Sequence, residues 1–221
     1  MAGDFLSNRH YKVTFLFDES NDWLKEYIAE TDLLQNNSVF RFQTSSNPEE
    51  VVNQDLVFIL GYTHLLDKEF LDKNKLNLVV HESDLPQGKG FSPVQWQILA
   101  GKNRIPICLF EATEQIDSGD ILLKQYFTLS GYELYDQIRL VQAKATHKII
   151  KDFLKFYPTY SKEKQGLGET YYCRRTEKDS ELDVDKSIQE QFNLLRIGNN
   201  DKWPSYFFID GKKYYLRIYN E

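Results

Sequence analysis

At 221 residues the chain can form one large domain, or one domain with a small appendage, and it can bury a sizeable core. Its 41% hydrophobic, 14% aromatic and 27% charged residues are those of a globular protein. No segment reaches the roughly 20 consecutive apolar residues of a membrane span, so no membrane partner is expected. A net charge of −6 disfavours non-specific binding to nucleic acid. The N-terminal MAGDFLSNRHYK lacks the apolar run of a secretory signal, which makes a cytoplasmic location the expectation. Cys108 and Cys173 stand in apolar or aromatic surroundings without metal-ligand spacing, which predicts reduced, structural thiols and no metal site.

His10 to Phe17, HYKVTFLF, reads as an opening strand, with Asp18 to Asn21 as turn and capping residues for a helix. Trp23, Leu24, Tyr27, Ile28 and Leu34 recur at helical spacing. Ser38 to Phe42 is a second strand, followed by a loop over Thr44 to Pro48. The continuous apolar run DLVFIL, Asp55 to Leu60, is a third strand, buried on both faces. A turn over Gly61 to Leu66 and a short helix over Asp67 to Leu71 lead to a fourth strand. There Leu76, Leu78 and Val80 alternate with Asn77, Val79 and His81, so His81 arrives at the strand's carboxyl end. Ser83, Asp84, Pro86, Gly88 and Gly90 then form a polar turning segment, at the kind of place where open α/β sheets hold ligands.

Pro93 to Leu99 is a short helix. Ile105 to Ala112 and Ile121 to Phe127 are strands joined by the acidic TEQIDSGD. Leu134 to Phe156 is a long amphipathic helix with Leu134, Ile138, Val141, Ala145, Ile149 and Phe153 on one stripe. This rhythm predicts an α/β fold: an open, mostly parallel, Rossmann-like twisted sheet with flanking helices and right-handed crossovers. FLFDESND carries no glycine-rich phosphate fingerprint, which argues against an NAD enzyme or a kinase. The segment 158–168 reads as a linker between a catalytic domain over 1–157 and a smaller region over 169–221. That region is expected to hold a helix over Ser187 to Arg196 and the hairpin SYFFIDGKKYYLRIY, turned at Asp210-Gly211.

A histidine ending a strand is commonly structural, and D-S-G-D is common turn chemistry. Their joint spacing is more specific. His81, Ser83, Leu85, Pro86, Gly90, Pro93 and Trp96, followed by Asp117, Gly119, Asp120 and Ile121, resemble the formyltransferase family that includes methionyl-tRNA and glycinamide ribonucleotide formyltransferases. The family pattern is H-x-S-x-L-P-x-x-R-G with a later D-x-G-D-I, and the likeness spans Leu56 to Phe156. CRRTEKDSELDVDKSIQEQFNLLRI is similar to the segment that follows the catalytic domain in methionyl-tRNA and sugar N-formyltransferases. The residues after Arg196 fall short of the C-terminal barrel of a tRNA enzyme. HESDLPQGKGFSPVQWQIL and FFIDGKKYYLRIY most resemble sugar N-formyltransferases, including the branch tied to pseudaminic acid and related amino-sugar pathways.

The resemblance implies 10-formyltetrahydrofolate as co-substrate and, as acceptor, the amine of a dideoxy sugar carried on UDP, dTDP or GDP. His81 would take the proton from the attacking amine, a task that suits an imidazole. Asp117 would orient it. Gly61, Tyr62 and Thr63 would line the pterin pocket, with Ser83, Leu85 and Pro86 as further folate contacts, while Asn77, Lys89 and Gly90 would face the acceptor. Three positions depart from the family. Val79 stands where the family places an asparagine two residues before the histidine, Lys89 replaces an arginine and so loses its planar fork, and Phe110 replaces a second histidine. Asn77 lies on the same strand face but about 6 to 7 Å further back. The developing oxyanion would then be held by Asn77 or another amide, or by backbone N–H groups with His81. The aromatic hairpin is expected to serve packing or a homodimer contact. Alternative readings are transfer to methionyl-tRNA or a small amine, and a folate-binding module without turnover.

Overall fold

The computed structural model describes residues 10–19 and 21–221. The N-terminal stretch before His10, and Ser20 of the expected capping segment, lie outside the described residues. The first strand, β1 (Tyr11–Phe17), leads into α1 (Asp22–Ala29), and the chain returns as β2 (Phe40–Ser45). Leu34, expected on that helix, falls beyond its end. It belongs to a separate single turn over Asp32–Leu34, where the Thr31 hydroxyl accepts from the Leu33 N–H. Strands β3 (Leu56–Leu60) and β4 (Asn77–His81) flank the short α2 (Lys68–Asp72), which starts where the Asp67 carboxylate accepts from the Phe70 N–H.

These four strands are parallel, in the order β2-β1-β3-β4. The motif loop follows, with the two-residue β5 (Lys89–Gly90), α3 (Pro93–Leu99), β6 (Arg104–Glu111), β7 (Ile121–Thr128) and α4 (Tyr135–Phe156). The sheet is extended by β6 and β7 on the β4 side, and the β4–β6 and β6–β7 pairs are both antiparallel. The expected parallel rhythm therefore holds for four strands. It stops at β6, which runs antiparallel to β4 although their connection carries α3, and the β6–β7 loop then reverses the chain once more.

Alternation along the strands divides the core. Val13, Phe15, Phe17, Phe58, Leu78 and Val80 face α1 and α4, where Leu24, Ile28, Ile149 and Phe153 complete the larger cluster. Leu16, Val57 and Ile59 face the other way, onto Phe70 of α2. Phe15 stacks on Phe58 at 5.3 Å, and Phe58 meets Phe153 edge-on at 6.1 Å. Cys108 is buried in β6 and donates to the Ser83 carbonyl at 3.2 Å, while Cys173 is exposed. Burial pushes the Cys108 thiol up to about 11. At pH 8 it stays protonated and shielded, so Ellman's reagent is expected to label only Cys173 in the folded chain and both thiols in urea. Labelling of Cys108 at a rate like that of Cys173 would contradict this.

The segment 158–168 meets the start of β7. Ile121 and Glu163 exchange backbone hydrogen bonds of 2.8 Å each. Beyond it, β8 (Tyr171–Tyr172) pairs in parallel with β5. The expected helix over Ser187 to Arg196 is confined to α5 (Phe192–Arg196). Its first half is diverted by side chains: Ser187 bonds Glu190, and the Gln191 amide reaches the carbonyls of Asp183, Lys186 and Ser187. The hairpin forms as read, β9 (Ser205–Ile209) against β10 (Lys212–Leu216), with Asp210 and Gly211 both at positive φ.

Candidate active site

His81 ends β4 and is buried. Its Nε2 lies 2.8 Å from the Gly88 carbonyl and 3.7 Å from Asp117 Oδ2. Both neighbours are acceptors, so this nitrogen carries a proton. Asp117 also accepts from the Gly90 N–H at 2.8 Å. Asp117 itself is at positive φ, 46°. Its loop is clamped from outside by Gln165, whose Nε2 donates to the carbonyls of Asp117 and Gly119 at 2.8 Å each.

Gly119 is required by close approach, because a Cβ built there would sit 1.7 Å from the Glu111 carbonyl oxygen. Gly119→Ala is expected to displace the loop and cost about 1–3 kcal/mol, read as a lower urea midpoint. An unchanged midpoint would refute the close approach. Gly90 is constrained in the same way, with a built Cβ 2.5 Å from the Tyr172 carbonyl.

A cavity of about 340 Å³ opens over this pair, at the carboxyl ends of β3 and β4. Gly61, Tyr62 and Thr63 form one lip. Asp18 holds it by accepting from the Thr63 N–H at 3.0 Å and the Thr63 hydroxyl at 2.6 Å, and the Asn21 amide holds the Gly61 carbonyl. Burial, aided by the Asp18 and Glu19 carboxylates, pushes the Tyr62 phenol above its ordinary value.

Of the expected site residues, Gly61, Tyr62, Thr63, His81, Gly90 and Asp117 line this cavity. The other five do not. The Asn77 amide is turned away and donates to the Leu71 carbonyl at 2.9 Å, closing the end of α2. Ser83 and Leu85 are buried under the loop, Leu85 against Cys108 and Phe110, and the Pro86 carbonyl accepts from the Thr170 N–H. Lys89, expected at the acceptor, is buried. Its Nζ donates to Glu169 at 2.7 Å and to Ser118 at 2.9 Å, tying the Asp117 loop to the strand at 171–172. A partner supplied from so far along the chain leaves no trace in the motif.

The structure adds residues the motif did not give. Val79 and Phe110, the two apolar replacements, are register partners across β4 and β6 and both line the cavity. Glu82 lines it too, its carboxylate accepting from Gln142 Nε2 at 2.7 Å, and Gln142 Oε1 in turn accepts from Arg139 Nη1 at 2.7 Å. Gln142 and Thr146 are buried on the inner side of α4. Their signal was two polar residues interrupting an otherwise apolar stripe. Among the described residues no group of three or more His, Cys, Asp or Glu side chains could hold a metal ion, and no helix is long and apolar enough to cross a membrane.

An open, mostly parallel α/β sheet with a histidine and an aspartate converging on a cleft at its carboxyl edge defines the class of this protein as a Rossmann-like fold. A family model described as "Formyl transferase" matches residues 2–153. The chain belongs to the formyl transferase family.

Among curated relatives, a methionyl-tRNA formyltransferase of Desulfotalea psychrophila is 30% identical over 172 residues, 75% of this chain and 51% of that protein. One from Rickettsia bellii is 25% identical over 177 residues, 77% and 56% respectively. The chain thus spans about half the length of these curated relatives. Among solved structures, a methionyl-tRNA formyltransferase from Clostridium thermocellum superposes with a TM-score of 0.76 at 19% identity, covering 94% of this chain and 92% of the other. A sugar N-formyltransferase from a Shewanella species gives 0.68 at 18%, covering 96% and 98%. HypX from Aquifex aeolicus in complex with tetrahydrofolic acid gives 0.69 at 16%, covering 95% and 38%. At these identities the likenesses establish the fold.

Proposed function

We propose that this chain is a cytoplasmic, folate-dependent sugar N-formyltransferase, moving the formyl group of 10-formyltetrahydrofolate to the amine of a nucleotide-linked amino sugar. The observation that carries the reading is His81 and Asp117, delivered from a strand end and a distant loop to within 3.7 Å at the floor of one cleft. With Nε2 occupied by its proton, Nδ1 can accept the proton that an attacking amine must lose, and Asp117 stabilises the resulting imidazolium. Val79 cannot donate a hydrogen bond and Asn77 is engaged elsewhere, so the developing negative charge falls to His81 and main-chain N–H groups.

The cleft fits a flat, partly polar donor. Val79 and Phe110 give it an apolar wall, the Gly61 to Thr63 turn is held by Asp18, and the buried Thr146 hydroxyl has no hydrogen-bond partner among the described residues. The tetrahydrofolic acid bound by HypX, on the same fold, supports folate here. The acidic net charge and the sugar N-formyltransferase of the Shewanella species support a sugar acceptor over tRNA.

A second reading, transfer to methionyl-tRNA, is favoured by the names of the curated relatives. The two separate in one assay. The chain is incubated with 10-formyltetrahydrofolate and either UDP-, dTDP- and GDP-linked amino sugars or a charged initiator tRNA, and tetrahydrofolate release and the acceptor's mass are followed. Formylation of a nucleotide sugar is expected. Formylation of the tRNA alone would replace the first reading by the second, and no transfer to any acceptor would remove both.

A further inference from the structure

Next to the reaction cleft lies a second, larger cavity of about 780 Å³. The two share a wall that includes Arg139, Arg174, Trp23 and Gln95. His81, Glu82 and Asp117 line only the first, and Tyr27, Trp203 and Lys202 only the second.

The arginines on the shared wall are held ready for a ligand. Arg139 projects from α4 with its guanidinium 4.8 Å from the Trp23 ring centre and 5.0 Å from that of Tyr135. Its Nη1 donates to Gln142 and its Nη2 to the Gln95 amide oxygen at 2.8 Å, while its buried Nε–H has no hydrogen-bond partner among the described residues. Arg174 is exposed and lies over the Phe91 ring at 4.3 Å. Arg175 is spent on structure, since its Nη2 donates to the Asp179 carbonyl at 2.6 Å. Away from the shared wall the second cavity carries the carboxylates of Glu26, Glu30 and Asp136 against the cations Arg175 and Lys202, which favours the shared wall for a negative group.

The charges are therefore polarised across a short path. Carboxylates of Glu82 and Asp117 stand in the reaction cleft, two guanidinium groups stand at the junction, and Trp203, 61% exposed, offers an aromatic face in the second cavity. The matching ligand has an amine at one end, a phosphate body and a flat ring at the other. We propose that the wall shared by the two cavities is the phosphate subsite of the acceptor, where Arg139 and Arg174 hold the diphosphate of a nucleotide-borne amine, with its base in the second cavity. The inference rests on the formyl-transfer reading for the role of the bound nucleotide, and not for its binding.

Isothermal titration of the full chain with UDP, dTDP and GDP tests it, with tetrahydrofolate titrated separately. At least one nucleoside diphosphate is expected to bind, and Arg139→Ala and Arg174→Ala should each weaken it by about tenfold or more, as for loss of a charge-assisted contact. Tetrahydrofolate affinity should be unchanged in Arg174→Ala. If none of the three binds, or if binding survives both substitutions, the subsite is overturned. Binding of a tRNA in place of all three nucleotides overturns it equally. Arg174→Ala carries the test alone if Arg139→Ala does not fold, because the Arg174 side chain lies at the surface. Arginine-dependent nucleotide binding without any binding of tetrahydrofolate would keep the subsite and remove the formyl-transfer reading. The opposite result would do the reverse.

Discussion

His81→Asn is expected to give a folded chain whose formyl-transfer turnover is lowered by about two orders of magnitude or more. Folding should survive because the imidazole makes its close polar contact with the Gly88 carbonyl at 2.8 Å, and an asparagine amide can donate to the same oxygen. Turnover should not survive, because an amide cannot take up a proton on one side while donating on the other. Asp117→Asn is the companion change. Its carbonyl oxygen can still accept from the Gly90 N–H, so the loop is retained, but the charge that stabilises a protonated His81 from 3.7 Å away is gone. A comparable loss is expected. Initial rates of tetrahydrofolate release at saturating acceptor, with the thermal midpoint as a control for folding, decide both cases. Near-normal turnover in folded His81→Asn would end the assignment of this residue as the base.

The approach of His81 to Asp117 was legible through the joint spacing of their two motifs, since a strand-ending histidine and a D-S-G-D turn are each ordinary on their own. The four parallel strands were legible for a similar reason, since apolar runs alternate with helical segments. Strand direction beyond the motif was not, because β4 and β6 are joined through α3, as a parallel pair would be, and yet run antiparallel.

Two residues expected to face the acceptor, where the expectation relied on nearness along the chain, have their side chains engaged by the fold. Asn77, two positions from Val79, is drawn to the carbonyl of Leu71, and Lys89, one position from Gly90, is drawn to Glu169. The replacements at Val79 and Phe110 appear in the sequence as separate departures. In the sheet they are one, a cross-strand pair turned apolar together, so restoring an asparagine at Val79 alone would place an amide against the Phe110 ring.

Arg196→Ala is expected to be the most damaging substitution outside the cleft. The side chain is 1% exposed and is held at three points: Nε donates to Asn193 at 2.9 Å, Nη2 donates to Asn103 at 2.7 Å, and Nη1 lies 3.7 Å from Glu133. Asn103 precedes β6 and Glu133 precedes α4, so this one guanidinium fastens α5 to the body of the sheet. Truncation leaves the amide oxygens of two half-buried residues, Asn193 and Asn103, without their donor and removes the positive charge nearest Glu133. Losing charge-assisted hydrogen bonds to two amide oxygens costs about 3–5 kcal/mol. At about 2–4 °C per kcal/mol for a chain of this size, the thermal midpoint should fall by roughly 6–20 °C. Arg196→Met separates charge from packing, because it keeps an apolar stem in the same space and should recover part of the loss. Circular dichroism melts of the three proteins measure both. A shift below about 2 °C in Arg196→Ala, under one kcal/mol, would mean that α5 is held by its apolar contacts through Leu195 and Ile197 and not by the buried charge.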